Sequence, residues 1–248
     1  MFLPLSIRRI RGARAAACVL ALAASAPLPA WALQAGDDIV SVGVAAIHPD
    51  ARLGTLTATG PLAAAFNAAT AGASADVSRE VTVSVSWLHL FTDRLGVEFT
   101  LGVPPKHEVD LRTPSPFAAA PNHPRAATLR TWTPAAVGKW FFGDTGQRMR
   151  PYLGLGVSHV SFHEVDINRG DPTVVQLAGE DASARSKWTP VYNAGLLWEF
   201  DPRWSLSGSV AYLPIRTEVE FVDAGGTRTR GDLKLNTTDW VLRLGYRF

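Results

Sequence analysis

Apolar and polar positions alternate with a period of two along most of this chain, and the pattern is clearest over its last ten residues. Residues 239–248 read D-W-V-L-R-L-G-Y-R-F. In an extended strand Trp240, Leu242, Leu244, Tyr246 and Phe248 fall on one side, and Asp239, Val241, Arg243, Gly245 and Arg247 on the other. The first side is wholly apolar and aromatic; the second carries charge. That contrast, closing on an aromatic, fits a strand with one face in lipid and the other in the lumen of an outer-membrane barrel.

The same alternation predicts eight strands, over residues 38–49, 79–91, 96–103, 130–142, 150–162, 187–200, 204–220 and from 231 or 232 to 248. In the second, Val81, Val83, Val85 and Trp87 oppose Thr82, Ser84 and Ser86. In the third, Val97, Phe99 and Leu101 oppose Glu98, Thr100 and Gly102. Trp188, Tyr192, Leu196, Trp198 and Phe200 share a face of the sixth, and Ser205, Ser207 and Ser209 form a small polar face of the seventh. Between them, residues 51–75 read as a loop with a short helix at 61–69, residues 104–129 as a long Pro- and Ala-rich connection, and residues 163–186 as a polar loop. Short connections begin near Thr92, Gly143 and Asp201 and alternate with the long ones, as periplasmic turns alternate with extracellular loops. Phe91, Trp140, Phe142, Trp198, Phe200, Trp204, Tyr246 and Phe248 flank the short turns or the C-terminus and so gather at one end, as an interfacial belt does. The fold expected is all-β, an eight-stranded antiparallel transmembrane β-barrel. A lipocalin-like carrier has no reason to collect its aromatics in this way.

Residues 1–32 are read as a secretory signal peptide, with a basic Arg8, Arg9, Arg11 and Arg14 region, a short apolar run and an Ala30-Trp31-Ala32 cleavage site. The barrel is then residues 33–248. The chain's single cysteine, Cys18, lies in the signal, with no apolar run ahead of it to make a lipoprotein site. The remainder has no disulfide framework and no cysteine metal site. Removing the four arginines leaves 20 basic residues against 22 acidic, a net of −2, so nothing points to nucleic acid. No later stretch is apolar for the 18 residues that a spanning helix needs.

Gly96-Val97-Glu98, Trp140-Phe141-Phe142-Gly143-Asp144, the Arg150 to Val157 stretch R-P-Y-L-G-L-G-V and the terminal Gly245-Tyr246-Arg247-Phe248 resemble the OmpW family of small outer-membrane proteins, which includes the AlkL-type alkane-uptake proteins. Pro104-Pro105-Lys106-His107 is similar to the family's stretch after the third strand. The resemblance spans about the whole mature chain. It implies an eight-stranded barrel with a narrow, largely apolar interior and a role in moving small hydrophobic molecules across the outer membrane. Alternation alone says only that so small a barrel holds side chains or one small ligand.

Alternation turns Glu98, Lys139, Glu199, Arg243 and Arg247 inward, together with the small Thr100 and Ala211. Glu98, Thr100, Lys139, Ala211 and Arg243 are the expected lumen lining. Leu53, Leu56, Leu62 and Phe66 read equally as an outer apolar funnel or as loop packing. His159, His163 and Glu164 share the outer end of the fifth strand, but zinc sites need three or four ligands in defined geometry, so a polar rim is the better reading. Lys106, His107, Glu108 and Asp110 read as a charged strand end. Leu206-Ser207-Gly208-Ser209 lacks the leading glycine of a serine-hydrolase elbow. No catalytic residue, metal or cofactor is expected. The expectation is a non-enzymatic channel for small hydrophobic solutes. A structural or adhesive barrel with a filled lumen and a lipid-modifying enzyme are the alternatives. Its partners would be outer-membrane lipid, small hydrophobic solutes and the barrel-assembly machinery.

Overall fold

The structure, a computed structural model, describes residues 33–114, 121–178, 181–222 and 225–248, all within one compact unit. The expected signal peptide and Cys18 lie outside the described residues. The strands are β1 (Asp38–Leu53), β2 (Thr57–Thr59), β3 (Ser74–Val77), β4 (Glu80–Leu90), β5 (Leu95–Gly102), β6 (Lys106–Arg112), β7 (Asn122–Trp132), β8 (Ala135–Phe141), β9 (Met149–Ile167), β10 (Asp181–Ala184), β11 (Lys187–Glu199), β12 (Trp204–Val222) and β13 (Arg228–Arg247). Two short helices, α1 (Ala63–Ala69) and α2 (Pro172–Ala178), complete the fold.

The expected eight-stranded barrel is overturned: the described residues form thirteen strands in one ring-shaped sheet. Pairing runs from β13 through β1, β4, β5, β8 and β9, and returns to β13 through β11 and β12, every pair antiparallel. The remaining strands build onto this circuit at one end. β2 pairs with β13, β10 with β12, and β3, β6 and β7 pair in succession onto β9.

The miscount has physical causes. The Pro- and Ala-rich stretch expected as a connection holds β6 and most of β7. In β6, Val109 and Leu111 pair with Val77 and Ala75, and His107 turns in and is buried. The register shifts where β6 meets β7 and again where β7 meets β9, so a strict period of two is broken there. One strand was expected over residues 130–142, but Pro134 divides it. Pro134 has no N–H to give a ladder, while its carbonyl accepts from His159 N (3.0 Å) and Ser158 Oγ (3.0 Å). The short helix expected within residues 61–69 is present as α1.

β9, β12 and β13 are 19, 19 and 20 residues long. A tilted membrane strand needs only about 9–11, so roughly half of each extends beyond one crossing and carries the short strands. The other half wears an apolar band. Val83, Val85, Leu101, Leu196 and Leu242 are all exposed, as are Trp140, Trp198, Phe200 and Trp204 near the short turns. Trp204 meets Tyr246 edge-on at 5.1 Å, and Trp87 stacks on Phe99 at 5.7 Å. On β11, Trp188 and Trp198 both point outward. Ten residues of strand, at about 3.3 Å each and a tilt near 40°, put these rings about 25 Å apart in height, the thickness of a barrel's lipid-facing band.

Candidate functional site

Inside the ring, three layers follow one another from the end with the short turns to the end with the long connections. The middle layer is ionic. Arg243 on β13 sends its guanidinium across β1 to Ser84 on β4 (Nη2 to Oγ, 2.8 Å) and to Glu98 on β5 (Nη1 to Oε1, 3.3 Å). It passes over Gly43, which pairs with both Arg243 and Ser84. A Cβ at Gly43 would collide with the backbone oxygen of Leu242 and lie 2.6 Å from the Arg243 Cα, so glycine is what lets the β1 backbone approach β13 so closely beneath it. From the opposite side Lys139 on β8 places Nζ 2.8 Å from Glu98 Oε2 and 4.3 Å above the Tyr152 ring. Ser86 and Thr100 donate to the same carboxylate at 3.4 Å. Glu98, Lys139 and Arg243 are all buried. Charges taken out of water need partners that satisfy them, and Glu98 has two cations and two hydroxyls.

Above this cluster lies a cavity of about 90 Å³ lined by Thr100, Val137, Val191, Ala211, Asp239 and Arg243, among others. Four of the five residues expected to line a lumen, Glu98, Thr100, Ala211 and Arg243, border it; Lys139 stands behind Glu98. The inward serine face of β12 contributes Ser209.

Below the cluster the interior is filled. Leu33, Leu90, Phe141 and Tyr152 pack with Ile39, Leu88 and Leu197. Arg247 ties this end together, pairing with Asp37 (3.0 Å) and Glu199 (3.2 Å), while Glu199 also accepts from the Leu33 N–H at 3.3 Å. Arg150 is fully buried beside them, donating to the carbonyls of Phe142 and Leu33.

The third layer sits inside the strands beyond the apolar band. A second cavity, of about 130 Å³, is lined almost wholly by apolar side chains, including Leu53, Leu56, Val109, Phe162, Phe221 and Leu233. Of the four residues weighed as a funnel, Leu53 and Leu56 line it, Phe66 is buried on α1, and Leu62 is exposed. An apolar cluster of Val160, Val191, Leu213, Ile215 and Leu235 lies between the two cavities.

A polar contact closes this end, and sequence reasoning missed it. His123 on β7 is buried, with Nδ1 2.7 Å from Asp171 Oδ2 and Nε2 3.2 Å from Thr113 Oγ1. Asp171 Oδ1 accepts from the backbone N–H groups of Thr173 and Val174 at the start of α2. Burial would push the Asp171 carboxyl up, but the bonds from His123, Val174 and Thr173 win and hold it below the usual carboxylate range. The only trace in sequence is the Asp171-Pro172 pair, an N-cap followed by a proline at the first helical position.

Other sequence candidates are dispersed. The His159 ring packs on Trp188 at 5.0 Å, His163 bonds to Ser161 Oγ, and Glu164 pairs with Arg130 at 2.7 Å. No group of three or more potential metal ligands comes together among the described residues. His107 bonds the Ser78 carbonyl and Asp110 accepts from the Arg125 N–H, so both brace the outer strands.

Known proteins are similar to this chain along nearly its whole length. The sequence model of the OmpW family matches residues 34–248. Outer membrane protein W of Vibrio cholerae is 25% identical over 238 residues, 93% of this chain and 98% of that one. Outer membrane protein AlkL of Ectopseudomonas oleovorans is 23% identical over 214 residues, 85% of this chain and 80% of that one. Among solved structures, the crystal structure of the outer membrane protein OprG from Pseudomonas aeruginosa superposes with a TM-score of 0.75 at 21% identity, covering 88% of this chain and 98% of that one. These superpositions speak to the fold. The match over residues 34–248, on a ring sheet with an apolar outer band, identifies this chain as a member of the OmpW family and a protein of the outer membrane.

Proposed function

We propose that this protein admits small hydrophobic molecules through the outer membrane, taking them up in the apolar cavity at its long-connection end. That cavity carries the reading. Its volume is about 130 Å³, and its walls are aliphatic and aromatic. An apolar cavity of roughly 150 Å³ is enough to hold benzene, so a solute of that size fits with little adjustment. Moving inward, the solute meets an apolar partition of Val160, Leu213, Ile215 and Leu235 and then the smaller cavity bordered by Thr100 and Ala211. The ionic cluster beneath it is the floor of this path. The lumen-lining role of Glu98, Thr100, Lys139, Ala211 and Arg243 belongs to the same proposal. So does engagement of the assembly machinery by β13, the strand that joins β1 and β12.

A second reading, a structural or adhesive ring with a filled interior, is favoured by the packing around Phe141, Leu90 and Leu33. One experiment separates the two. Intact cells expressing the protein should take up a small apolar solute faster than cells without it. The double variant Thr100→Trp with Ala211→Trp fills the inner cavity, and uptake should drop while heat-modifiable folding is kept. Equal uptake by wild type and double variant removes the inner cavity from the path. Wild-type cells no faster than control cells leave the filled-ring reading.

A further inference from the structure

Asp239 is a charge-bearing residue with one carboxylate oxygen that the packing of the ring does not use. It sits on β13 beside the outward-facing Trp240 and turns inward, in register with Ile47 of β1 and Ala211 of β12. There it lines the inner cavity among Ala45, Val137, Val191 and Leu213. The Thr237 side chain hydrogen-bonds this carboxyl, but its Oδ1 is shielded from solvent and accepts no hydrogen bond. The contrast with Glu98 is direct: that carboxylate, in the layer below, is met by Lys139, Arg243, Ser86 and Thr100. Buried polar atoms are almost always bonded, and each exception needs a reason. An ionisable side chain inside a membrane span marks a functional position by default.

We propose that Asp239 reads the head group of the solute. Its free oxygen accepts a hydrogen bond from a donor at one end of an otherwise apolar molecule, whose remainder lies against Ile47, Val191 and Leu213. The preferred substrates are then amphiphiles with a hydrogen-bond-donating end, rather than plain hydrocarbons or molecules with an acceptor alone. This rests on the uptake reading above and narrows it. A hydrogen bond to a buried acceptor oxygen that otherwise has no partner is strong enough to separate a donor-bearing solute from its capped analogue by roughly tenfold.

The test compares n-octane, 1-octanol and octyl methyl ether in intact cells expressing the full chain, each corrected for entry into cells without it. Wild type should admit 1-octanol roughly ten times faster than the ether, which has the oxygen but no donor. Asp239→Leu should erase that preference and bring 1-octanol and the ether to equal rates. Asp239→Asn keeps an acceptor oxygen in nearly the same volume and should retain part of the preference. Both variants are checked for folding by heat-modifiable mobility. An unchanged alcohol-to-ether ratio in Asp239→Leu overturns the inference, as does equal entry of alcohol and ether in wild type; n-octane entry would still support uptake itself. If none of the three enters faster than in control cells, the uptake reading and this inference fall together.

Discussion

Single side chains in this protein divide into those whose polar atoms are fully met and those whose atoms are left over. Glu98 is the first kind, and two buried cations depend on it. Glu98→Gln should cost about 3–5 kcal/mol, because it leaves Lys139 and Arg243 buried without a counter-charge. Urea titration of the protein folded in lipid vesicles reads this directly, and a loss below about 1 kcal/mol would mean that water already screens the cluster. Asp239 is the second kind. Asp239→Leu should raise stability by about 1–3 kcal/mol, the desolvation cost of an unsatisfied buried group; destabilisation in the same titration would show that the Thr237 bond to this carboxyl outweighs the unmet Oδ1. Asp171 gives a pH effect with a definite sign. Its carboxyl is held below the usual range, so its contribution to holding α2 is fully present above the ordinary aspartate value of about 3.9. That contribution fades as pH falls through the lower, folded value. Amide exchange at Thr173 and Val174 should lose protection on acidification in the wild type relative to Asp171→Asn, where no such titration exists. A constant ratio across that range would count against the cap.

At the scale of the strand, the outward and inward faces answer to different solvents. Leu242 is exposed on the apolar band, and Leu242→Arg near the midplane should cost about 2–4 kcal/mol; an unchanged folding titration in lipid would place this face elsewhere. These faces were readable from the chain, because a period of two survives wherever a strand is long and lipid lies on one side. Val83, Val85, Leu101 and Leu196 are exposed as that pattern requires. The short strands escaped notice for the opposite reason. β2, β3 and β10 are 3, 4 and 4 residues long, too few for a period to show. β6 and β7 are flanked or interrupted by Pro105, Pro121 and Pro124, which read as loop signals. The Glu98–Lys139–Arg243 meeting was half legible: alternation put each residue on the inner face, and closure of the sheet put them in contact. Gly43 was not legible at all, since its role depends on a strand 200 residues away in sequence.

For the whole molecule, the layers predict uneven stability. The strands of the apolar band are paired on both sides around the circuit, whereas β3 is paired on one side only, with β6. Local opening should therefore concentrate at the long-connection end. Hydrogen exchange in vesicles should protect β1, β4 and β13 around Val42, Val85 and Leu244 most strongly, and protease should cut the long-connection end while the ring remains intact. Uniform exchange across both ends would mean that the extension and the ring open as one unit.

The chain by itself determined most of the long strands, which of their faces meets lipid, and which charges turn inward. Those properties are local: each follows from alternation within a dozen residues and from the free energy of placing apolar surface in lipid and charge out of it. The number of strands, the filled layer behind Phe141, the two cavities and the unmet Oδ1 of Asp239 were decided only by tertiary structure. They depend on which strands become neighbours and at what register, and register brings together residues such as Ser84 and Arg243 that lie far apart along the chain. Alternation cannot say which inward side chains will meet and which will face a cavity, because that is settled when β13 closes on β1.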